Sequence, residues 1–270
     1  MIAGVGGVEV YWQAWLPDGD PRAIVVLAHG ASEHGGRYAW VGKRLAERGL
    51  ALYAGDHRGH GRSSGPRALI DRLDNAVRDL DAVVEVARAA HPGTATFMLG
   101  HSMGGAVALA YAIDRQDRLD GLVLSAPVAA LEAASPVTRL AGRVLSAIAP
   151  RAGVYDIDST AVSRDPGVVR DYDADPLNHH GKLPARTVAE LTSAVATFPD
   201  AVERLTLPIL TMHGSADRLT PPEGSEMVVE RAGSEDKSII RYEGLYHELL
   251  NEPERKKVLD DIVAWIEARL

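Results

Sequence analysis

The sequence predicts an α/β protein with a mostly parallel central sheet, flanked by helices, and an inserted helical lid. Short β-branched apolar runs alternate along the chain with longer helical patterns, and residues 128–204 interrupt this alternation. Parallel strands are continuous apolar runs because helices cover both faces of their sheet. The chain has 270 residues, enough for one large domain of this kind.

The strands and helices are predicted in a regular order. An alternating segment at residues 8–16 is typical of an edge strand. Buried strands are predicted at residues 23–28, 50–54, 96–99, 121–125, 208–212 and 238–242. Helices are predicted at residues 41–48, 70–90, 106–113 and 258–270.

Residues 128–204 are the predicted lid, which leaves residues 1–127 and 205–270 as the core. This stretch is too long for a loop between two strands. Ser135 is a suitable N-cap for a helix there, and Pro136 suits the first helical position. An apolar stripe follows at helical spacing, formed by Val137, Leu140, Ala141, Val144, Leu145 and Ile148. A second helical pattern covers residues 187–196.

Composition and charge narrow the class of protein. The chain has no cysteine, so neither a disulfide nor a thiolate nucleophile is available. The formal net charge of −8 disfavours nucleic acid as a partner, since phosphate binding requires a basic face. The sequence begins without a secretory signal pattern and has no apolar stretch of membrane-spanning length. We therefore expect a cytoplasmic protein.

A nucleophilic serine is predicted at the end of the 96–99 strand. Residues 100–104 follow the pattern G-x-S-x-G, with Ser102 between this strand and the next predicted helix. In so tight a turn, side chains two positions before and after the serine would clash, and Gly100 and Gly104 remove that clash. The pattern in this context is typical of the α/β-hydrolase fold, with Ser102 as the nucleophile.

The serine hydroxyl needs a base, and in this fold the chain order is serine, acid, histidine. Asp217 follows the 208–212 strand, and His247 follows the 238–242 strand. Because parallel strands end at the same edge of the sheet, both side chains are expected beside Ser102. We predict that His247 is the base and that Asp217 fixes its tautomer.

Other histidines are weaker candidates for the base because none follows the last strand. His101 adjoins the nucleophile but is expected to point away from it. His57 and His60 lie in a glycine-rich turn, and His213, just before the acid, is interpreted as structural.

The oxyanion hole is predicted from two backbone N–H groups. One belongs to Met103, directly after the nucleophile, and the other to Ala31, in the loop after the 23–28 strand. This acyl-transfer chemistry requires neither a metal ion nor a cofactor.

Six segments together closely resemble the monoacylglycerol lipase family, also called monoglyceride lipases. The resemblance runs through nearly the whole chain, and its segments are HGASEHGGRY, DHRGHGRSSG, LGHSMGG, SRDPGVVRDYDADPL, HGSADRLTPP and YEGLYHELLNE. It implies cleavage of a long-chain fatty acid from glycerol by the triad Ser102, Asp217 and His247. It also implies that Glu33 and Arg37 help to form a narrow polar end for glycerol. Glu33 alternatively serves as a solvated turn carboxylate or as a structural partner of Arg37.

The apolar stripe of the predicted lid helix has two interpretations. It packs on the core, or it forms a wall of the acyl tunnel and touches membrane or micelle surfaces. Leu140, Val144 and Leu145 are the residues that distinguish these interpretations. Under the second interpretation, we expect a cytoplasmic protein that also associates transiently with the membrane surface.

Two alternatives in function remain open at this point. A lysophospholipase or general carboxylesterase would use the same triad on a different substrate. A ligand-binding protein could keep the fold without catalysis, but a pure binder has no need of the tight turn around Ser102.

Overall fold

The computed structural model describes residues 1–131 and 136–270 of the chain. Within them the strands are β1 (Ile2–Ala3), β2 (Glu9–Val10), β3 (Trp12–Trp15), β4 (Ala23–Ala28), β5 (Leu50–Gly55), β6 (Ala95–His101), β7 (Gly121–Ser125), β8 (Gly153–Tyr155), β9 (Leu183–Pro184), β10 (Ile209–Gly214) and β11 (Lys237–Tyr242). The helices are α1 (Ala39–Ala46), α2 (Leu73–Ala90), α3 (Met103–Arg115), α4 (Pro136–Ile148), α5 (Pro166–Ala174), α6 (Ala185–Val195), α7 (Phe198–Ala201), α8 (Glu223–Arg231) and α9 (Arg255–Glu267).

In the described part of the chain, seven strands form one sheet in the order β11-β10-β7-β6-β4-β5-β3. Six of them are parallel, and β3 pairs antiparallel with β5 at the edge. The register aligns Ala28 with Gly100 and His101 with Ser125. The carboxyl ends of β4, β6 and β7 therefore meet at one edge of the sheet, where loops can bring side chains together.

The sheet separates two apolar cores. Alternate residues of β4 face opposite sides: Val26 belongs to one core, with α2 and α3, and Val25 to the other, with α1 and α9. Because both faces are covered, every residue of β4 is buried. This explains why β4 reads as a continuous apolar run rather than an alternating one.

The segment predicted as one edge strand at residues 8–16 is divided at Tyr11 into β2 and β3. The Tyr11 N–H donates to Ser63 Oγ at 2.9 Å, and its carbonyl accepts from the Asp56 N–H at 2.8 Å. Tyr11 thus bonds to the loop after β5 instead of continuing a ladder. β3 is the predicted edge strand of the sheet.

Residues 128–204, the predicted lid, connect β7 to the segment before β10 and contain α4, α5, α6, α7, β8 and β9. β8 and β9 pair antiparallel, and α6 packs against both α3 and α4. The His179 N–H donates to the Ser32 carbonyl at 2.9 Å, which ties this segment to the loop after β4. Ser135, the predicted N-cap of α4, lies outside the described residues.

None of the helices in the described ranges combines the length and apolar composition needed to cross a membrane.

Candidate active site

Ser102 occupies a strained turn between β6 and α3. Its backbone has φ 53° and ψ −121°, a left-handed conformation that is unusual for a residue with a side chain. The Ser102 N–H donates to the Ser125 carbonyl at 3.1 Å, and its carbonyl accepts from the Val128 N–H at 3.0 Å. These bonds to the end of β7 and the residues after it hold the turn in its strained form.

The two glycines of the turn lie where no side chain fits. A Cβ on Gly104 would stand 2.1 Å from the Ala28 carbonyl oxygen, and a Cβ on Gly100 would stand 2.6 Å from Ala108 Cβ. The first obstacle is backbone and cannot move without displacing β4. This is the close approach that the G-x-S-x-G pattern predicts.

Asp217 and His247 meet beyond the ends of β10 and β11. His247 Nδ1 lies 2.8 Å from Asp217 Oδ2, and both side chains are buried. Because the carboxylate can only accept, Nδ1 carries the proton, and Nε2 is left as the basic atom. His247 and Ser102 line the same cavity.

The Asp217 carboxylate receives hydrogen bonds from several further donors. Thr220 Oγ1 lies 2.9 Å and His213 Nε2 3.1 Å from Oδ2, while the backbone N–H groups of Leu219 and Thr220 donate to Oδ1. Burial alone would raise the pKa of the Asp217 carboxyl, but the charge of His247 and these hydrogen bonds lower it well below its usual range. Asp217 is therefore ionised at neutral pH.

Opposing effects also act on the pKa of His247. Burial lowers it, whereas the attraction of Asp217 and the hydrogen bond to that carboxylate outweigh burial and raise it above the ordinary histidine value. An aspartate that stabilises the imidazolium is what a general base requires once it has accepted a proton.

The predicted oxyanion donors, Ala31 and Met103, both line the cavity beside Ser102. Met103 is the first residue of α3, so its N–H has no acceptor within the helix. The loop that carries Ala31 is fixed by an internal hydrogen bond, since the Gly30 N–H donates to Glu33 Oε1 at 2.6 Å. The two N–H groups are thus on rigid supports.

Glu33 and Arg37 belong to a buried ionic cluster that also includes Glu248. Arg37 Nη1 donates to Glu33 Oε2 and to Glu248 Oε1, both at 2.6 Å, and Arg37 Nη2 donates to Glu248 Oε2 at 2.7 Å. Tyr38 Oη donates to Glu33 Oε1 at 3.0 Å. Glu33 and Glu248 line the cavity. Glu33 is a structural partner of Arg37, as one interpretation of the sequence expected, and it is not a solvated turn residue.

Arg37 lies behind the two carboxylates and is absent from the described lining of the cavity. Its guanidinium stands over the Tyr172 ring, 4.8 Å from the centroid. Burial raises the pKa of the Glu33 carboxyl, and the positive charge of Arg37 only partly offsets this rise. Arg37 outweighs the same burial effect at Glu248, where it lowers the pKa.

The rest of the cavity is mostly apolar. Besides Ala31 and Met103, the apolar side chains of its lining belong to Val128, Leu131, Ile157, Val162, Leu183, Val188, Leu191 and Leu219. Most of them come from residues 128–204. The sequence does not identify these lining residues, because which side chains of residues 128–204 reach the cavity depends on how this segment folds back over the sheet.

The three residues chosen from the apolar stripe of α4 do not belong to the described lining of the cavity. Leu140 and Val144 are 63% and 51% exposed, and Leu145 is half-buried. The structure therefore does not place these three side chains in the described wall of the cavity, and Leu140 and Val144 do not pack on the core. α4 contacts α6, and four described residues of the stripe are exposed: Leu140, Ala141, Val144 and Ile148.

The sequence prediction also missed residues close to the base. The sequence predicts that His101 points away from the nucleophile, yet its ring centroid lies 4.7 Å from that of His247 and His101 lines the cavity. Burial lowers the pKa of His101 to about 3, so it is neutral. The sequence analysis assigns no role to Glu248 or Thr220, although both lie within the segments that carry His247 and Asp217. Within the described residues, no cluster of three or more His, Asp or Glu side chains could hold a metal ion.

Comparison with known proteins identifies the family. A family model described as serine aminopeptidase, S33, matches residues 19–254. A monoacylglycerol lipase of Mycolicibacterium smegmatis is 47% identical over the whole chain and 96% of its own length. The chain belongs to the monoacylglycerol lipase family.

More distant members of the monoacylglycerol lipase family also match along nearly the whole chain. The human monoglyceride lipase is 36% identical over 99% of this chain and 90% of its own. A crystal structure of a monoacylglycerol lipase from Paleococcus ferrophilus has a TM-score of 0.87 at 31% identity, covering 97% of this chain and all of that one. The resemblance and the α/β-hydrolase fold that the sequence predicts are both confirmed.

Proposed function

We propose that this protein hydrolyses monoacylglycerols to a free fatty acid and glycerol through an acyl-enzyme on Ser102. The observation that carries the proposal is a strained serine and a buried Asp217–His247 pair that open onto one apolar cavity with a polar end. Relatives named monoacylglycerol lipase that align along the whole chain support the same substrate class.

The first half of the reaction forms the acyl-enzyme. His247 Nε2 accepts the proton of Ser102 Oγ as this oxygen attacks the ester carbonyl, and the Ala31 and Met103 N–H groups bind the resulting oxyanion. Asp217 stabilises the imidazolium. His247 then gives its proton to the glycerol oxygen as the carbon–oxygen bond breaks.

The second half releases the acid. Water enters where glycerol stood, loses a proton to His247 Nε2 and attacks the acyl carbonyl, which passes through the same oxyanion site. The bond to Ser102 Oγ breaks, and His247 returns the proton to this oxygen. His247 accepts or donates the proton in every proton transfer of this reaction.

The carboxylates of Glu33 and Glu248 form the polar end in this proposal and accept hydrogen bonds from the glycerol hydroxyls. Arg37 acts from behind by fixing both carboxylates. The apolar remainder of the cavity would hold the acyl chain, since each buried methylene contributes about 0.8 kcal/mol of transfer free energy.

We also propose that residues 128–204 act as a lid and that α4 contacts lipid surfaces. Leu140, Val144 and Ile148 are 63%, 51% and 77% exposed on one helix. Large side chains exposed together in this way favour transient insertion into a membrane or micelle interface.

The test compares hydrolysis of monoacyl-, diacyl- and triacylglycerols of one chain length by the wild type and by Ser102→Ala. We expect rapid turnover of the monoacylglycerol alone, abolished by the substitution. A fluorophosphonate probe should label the wild type and leave Ser102→Ala unlabelled. Comparable rates on all three lipids, or activity on short nitrophenyl esters alone, would keep the serine hydrolase and refute the substrate.

A lysophospholipase or general carboxylesterase with the same triad is the alternative. These activities differ from the proposed one in the leaving alcohol, not in the acyl transfer at Ser102. The polar end of the cavity therefore decides between them.

A further inference from the structure

The polar end of the cavity carries more negative than positive charge. Glu33 and Glu248 are buried, with 2% and 6% of their surface exposed, and both line the cavity. Among the described residues, Arg37 is the single cation bonded to them, and it stands outside the lining of the cavity. Two carboxylates share one guanidinium, so one negative charge remains in excess while both are ionised.

The guanidinium of Arg37 is not free to bind an anionic ligand. Nη1 already donates to both carboxylates and Nη2 donates to Glu248. Breaking these bonds would leave a buried carboxylate without its partner, which is costly. The lining of the cavity, as far as the described residues define it, includes neither lysine nor arginine.

The excess charge lies close to the reacting atoms. A Cβ built on Gly30 would be 2.9 Å from Glu33 Oε1 and 3.3 Å from Ser102 Cβ, so the carboxylate and the nucleophile flank the same residue. Glu248 directly follows His247. A head group joined to the ester that Ser102 attacks is therefore within reach of both carboxylates.

We propose that the Glu33–Arg37–Glu248 cluster selects leaving alcohols by charge, with Glu248 as a specificity-determining residue. Uncharged polyols hydrogen-bond to the carboxylates, whereas a phosphate on the leaving alcohol is repelled by them. This inference rests on the proposed function and defines its substrate class: neutral acylglycerols are accepted and acylglycerol phosphates are rejected.

The size of the effect follows from Coulomb's law. At an effective dielectric of about 20, two unit charges about 7 Å apart repel strongly enough to change a rate ratio by about tenfold or more. Salt screens buried charges weakly. The discrimination should therefore persist at about 0.5 M NaCl, whereas repulsion by the overall net charge of −8 would fade.

The first experiment measures kcat/KM of the wild type on 1-oleoylglycerol, 1-oleoylglycerol 3-phosphate and oleoylcholine in neutral detergent micelles, at low and high salt. We expect the anionic ester to be the poorest substrate by about tenfold or more at both salt concentrations. Equal rejection of the cationic and anionic esters, or loss of the preference at high salt, would overturn the charge mechanism.

The second experiment repeats the comparison with Glu248→Gln, which keeps an oxygen acceptor for Arg37 and removes the excess charge. The phosphate-to-glycerol ratio of kcat/KM should rise about tenfold. Glu243→Gln is the matched control, because Glu243 is exposed on the same loop and its substitution changes the net charge equally. An unchanged ratio in Glu248→Gln, or an equal rise in Glu243→Gln, would overturn the proposal.

The outcomes separate this inference from the proposed function. A wild type that leaves 1-oleoylglycerol intact refutes the monoacylglycerol activity itself. A wild type that hydrolyses 1-oleoylglycerol and its 3-phosphate equally well refutes the charge selection alone. The wild-type series decides the question even if Glu248→Gln does not fold.

Discussion

Replacing His213 tests how the acid of the proposed triad is held. His213 Nε2 lies 3.1 Å from Asp217 Oδ2, and its Nδ1 accepts from Ser225 Oγ at 2.8 Å. The amide nitrogen of a glutamine can take the place of Nε2, whereas methionine fills similar space without a donor. His213→Met should thus remove one hydrogen bond from Asp217, and His213→Gln should keep it.

The structure sets the expected magnitude. A hydrogen bond to a charged group contributes about 1.5–3 kcal/mol, and Asp217 keeps Thr220 and two backbone N–H groups as donors. We expect His213→Met to lower the free energy of unfolding by about 2 kcal/mol at pH 7, and His213→Gln by about half as much. Urea denaturation measures both.

The pH dependence of the loss has a definite sign. The pKa of Asp217 is depressed in the folded protein, so its partners contribute stability that is fully present above the ordinary value of 3.8 and is lost as the pH falls below it. The difference in unfolding free energy between wild type and His213→Met should therefore persist at pH 4 and shrink only in strong acid, as the pH approaches the depressed folded-state pKa of Asp217.

The loss of the His213 hydrogen bond should also change the pH dependence of catalysis, because it alters the pKa of His247. With one donor fewer, Asp217 attracts the proton of His247 more strongly, and the already raised pKa of His247 rises further. The acidic limb of the kcat/KM profile should move upward by about half a pH unit in His213→Met and stay in place in His213→Gln. A loss of stability with an unmoved acidic limb would show that His213 only supports the fold, and an unchanged stability would refute the hydrogen-bond argument.

Three further predictions concern other parts of the site. Ser102→Ala should reduce ester hydrolysis by at least about 10³-fold while the urea midpoint stays within error of the wild type, as paired rate and unfolding measurements would establish. Gly104→Ala should lower the free energy of unfolding by about 1–3 kcal/mol or more, because the added Cβ meets a backbone carbonyl. Gly142→Ala should raise it by about 0.5–1 kcal/mol, because Gly142 lies in a helix with open space around it. Equal urea midpoints for these two variants would contradict the packing argument. Leu140→Ser combined with Val144→Ser should slow hydrolysis of monoacylglycerol in vesicles and spare a soluble short-chain ester; equal slowing of both would exclude surface contact as the cause.

The residues predicted as the triad could be found from sequence because each follows a strand. G-x-S-x-G fixes Ser102, and the rule that parallel strands end at one edge brings Asp217 and His247 to it. The 2.8 Å contact between the two later residues agrees with that expectation. This inference needs only the order of strands along the chain and no knowledge of side-chain packing.

The ionic cluster could not be found in the same way. Arg37 and Glu248 are 211 positions apart, and nothing in the local pattern of either residue specifies the other. Likewise, the periodicity of α4 predicts an amphipathic helix correctly, but periodicity does not determine what covers the apolar face. The exposure of Leu140 and Val144 depends on tertiary contacts that the repeat does not encode.

The predicted lid has two parts, and among the described residues tertiary contacts connect only one of them directly to the loop that carries His247. The Glu248 N–H donates to the Val162 carbonyl at 2.8 Å, and Arg164 donates through its backbone N–H and its Nε to the buried Glu252. This part of residues 128–204 is therefore bonded directly to the loop that carries His247. α4 is attached mainly to α6. Moving residues 162–164 would disturb the base, so we expect any rearrangement of the predicted lid that preserves catalysis to involve α4, where apolar side chains are exposed.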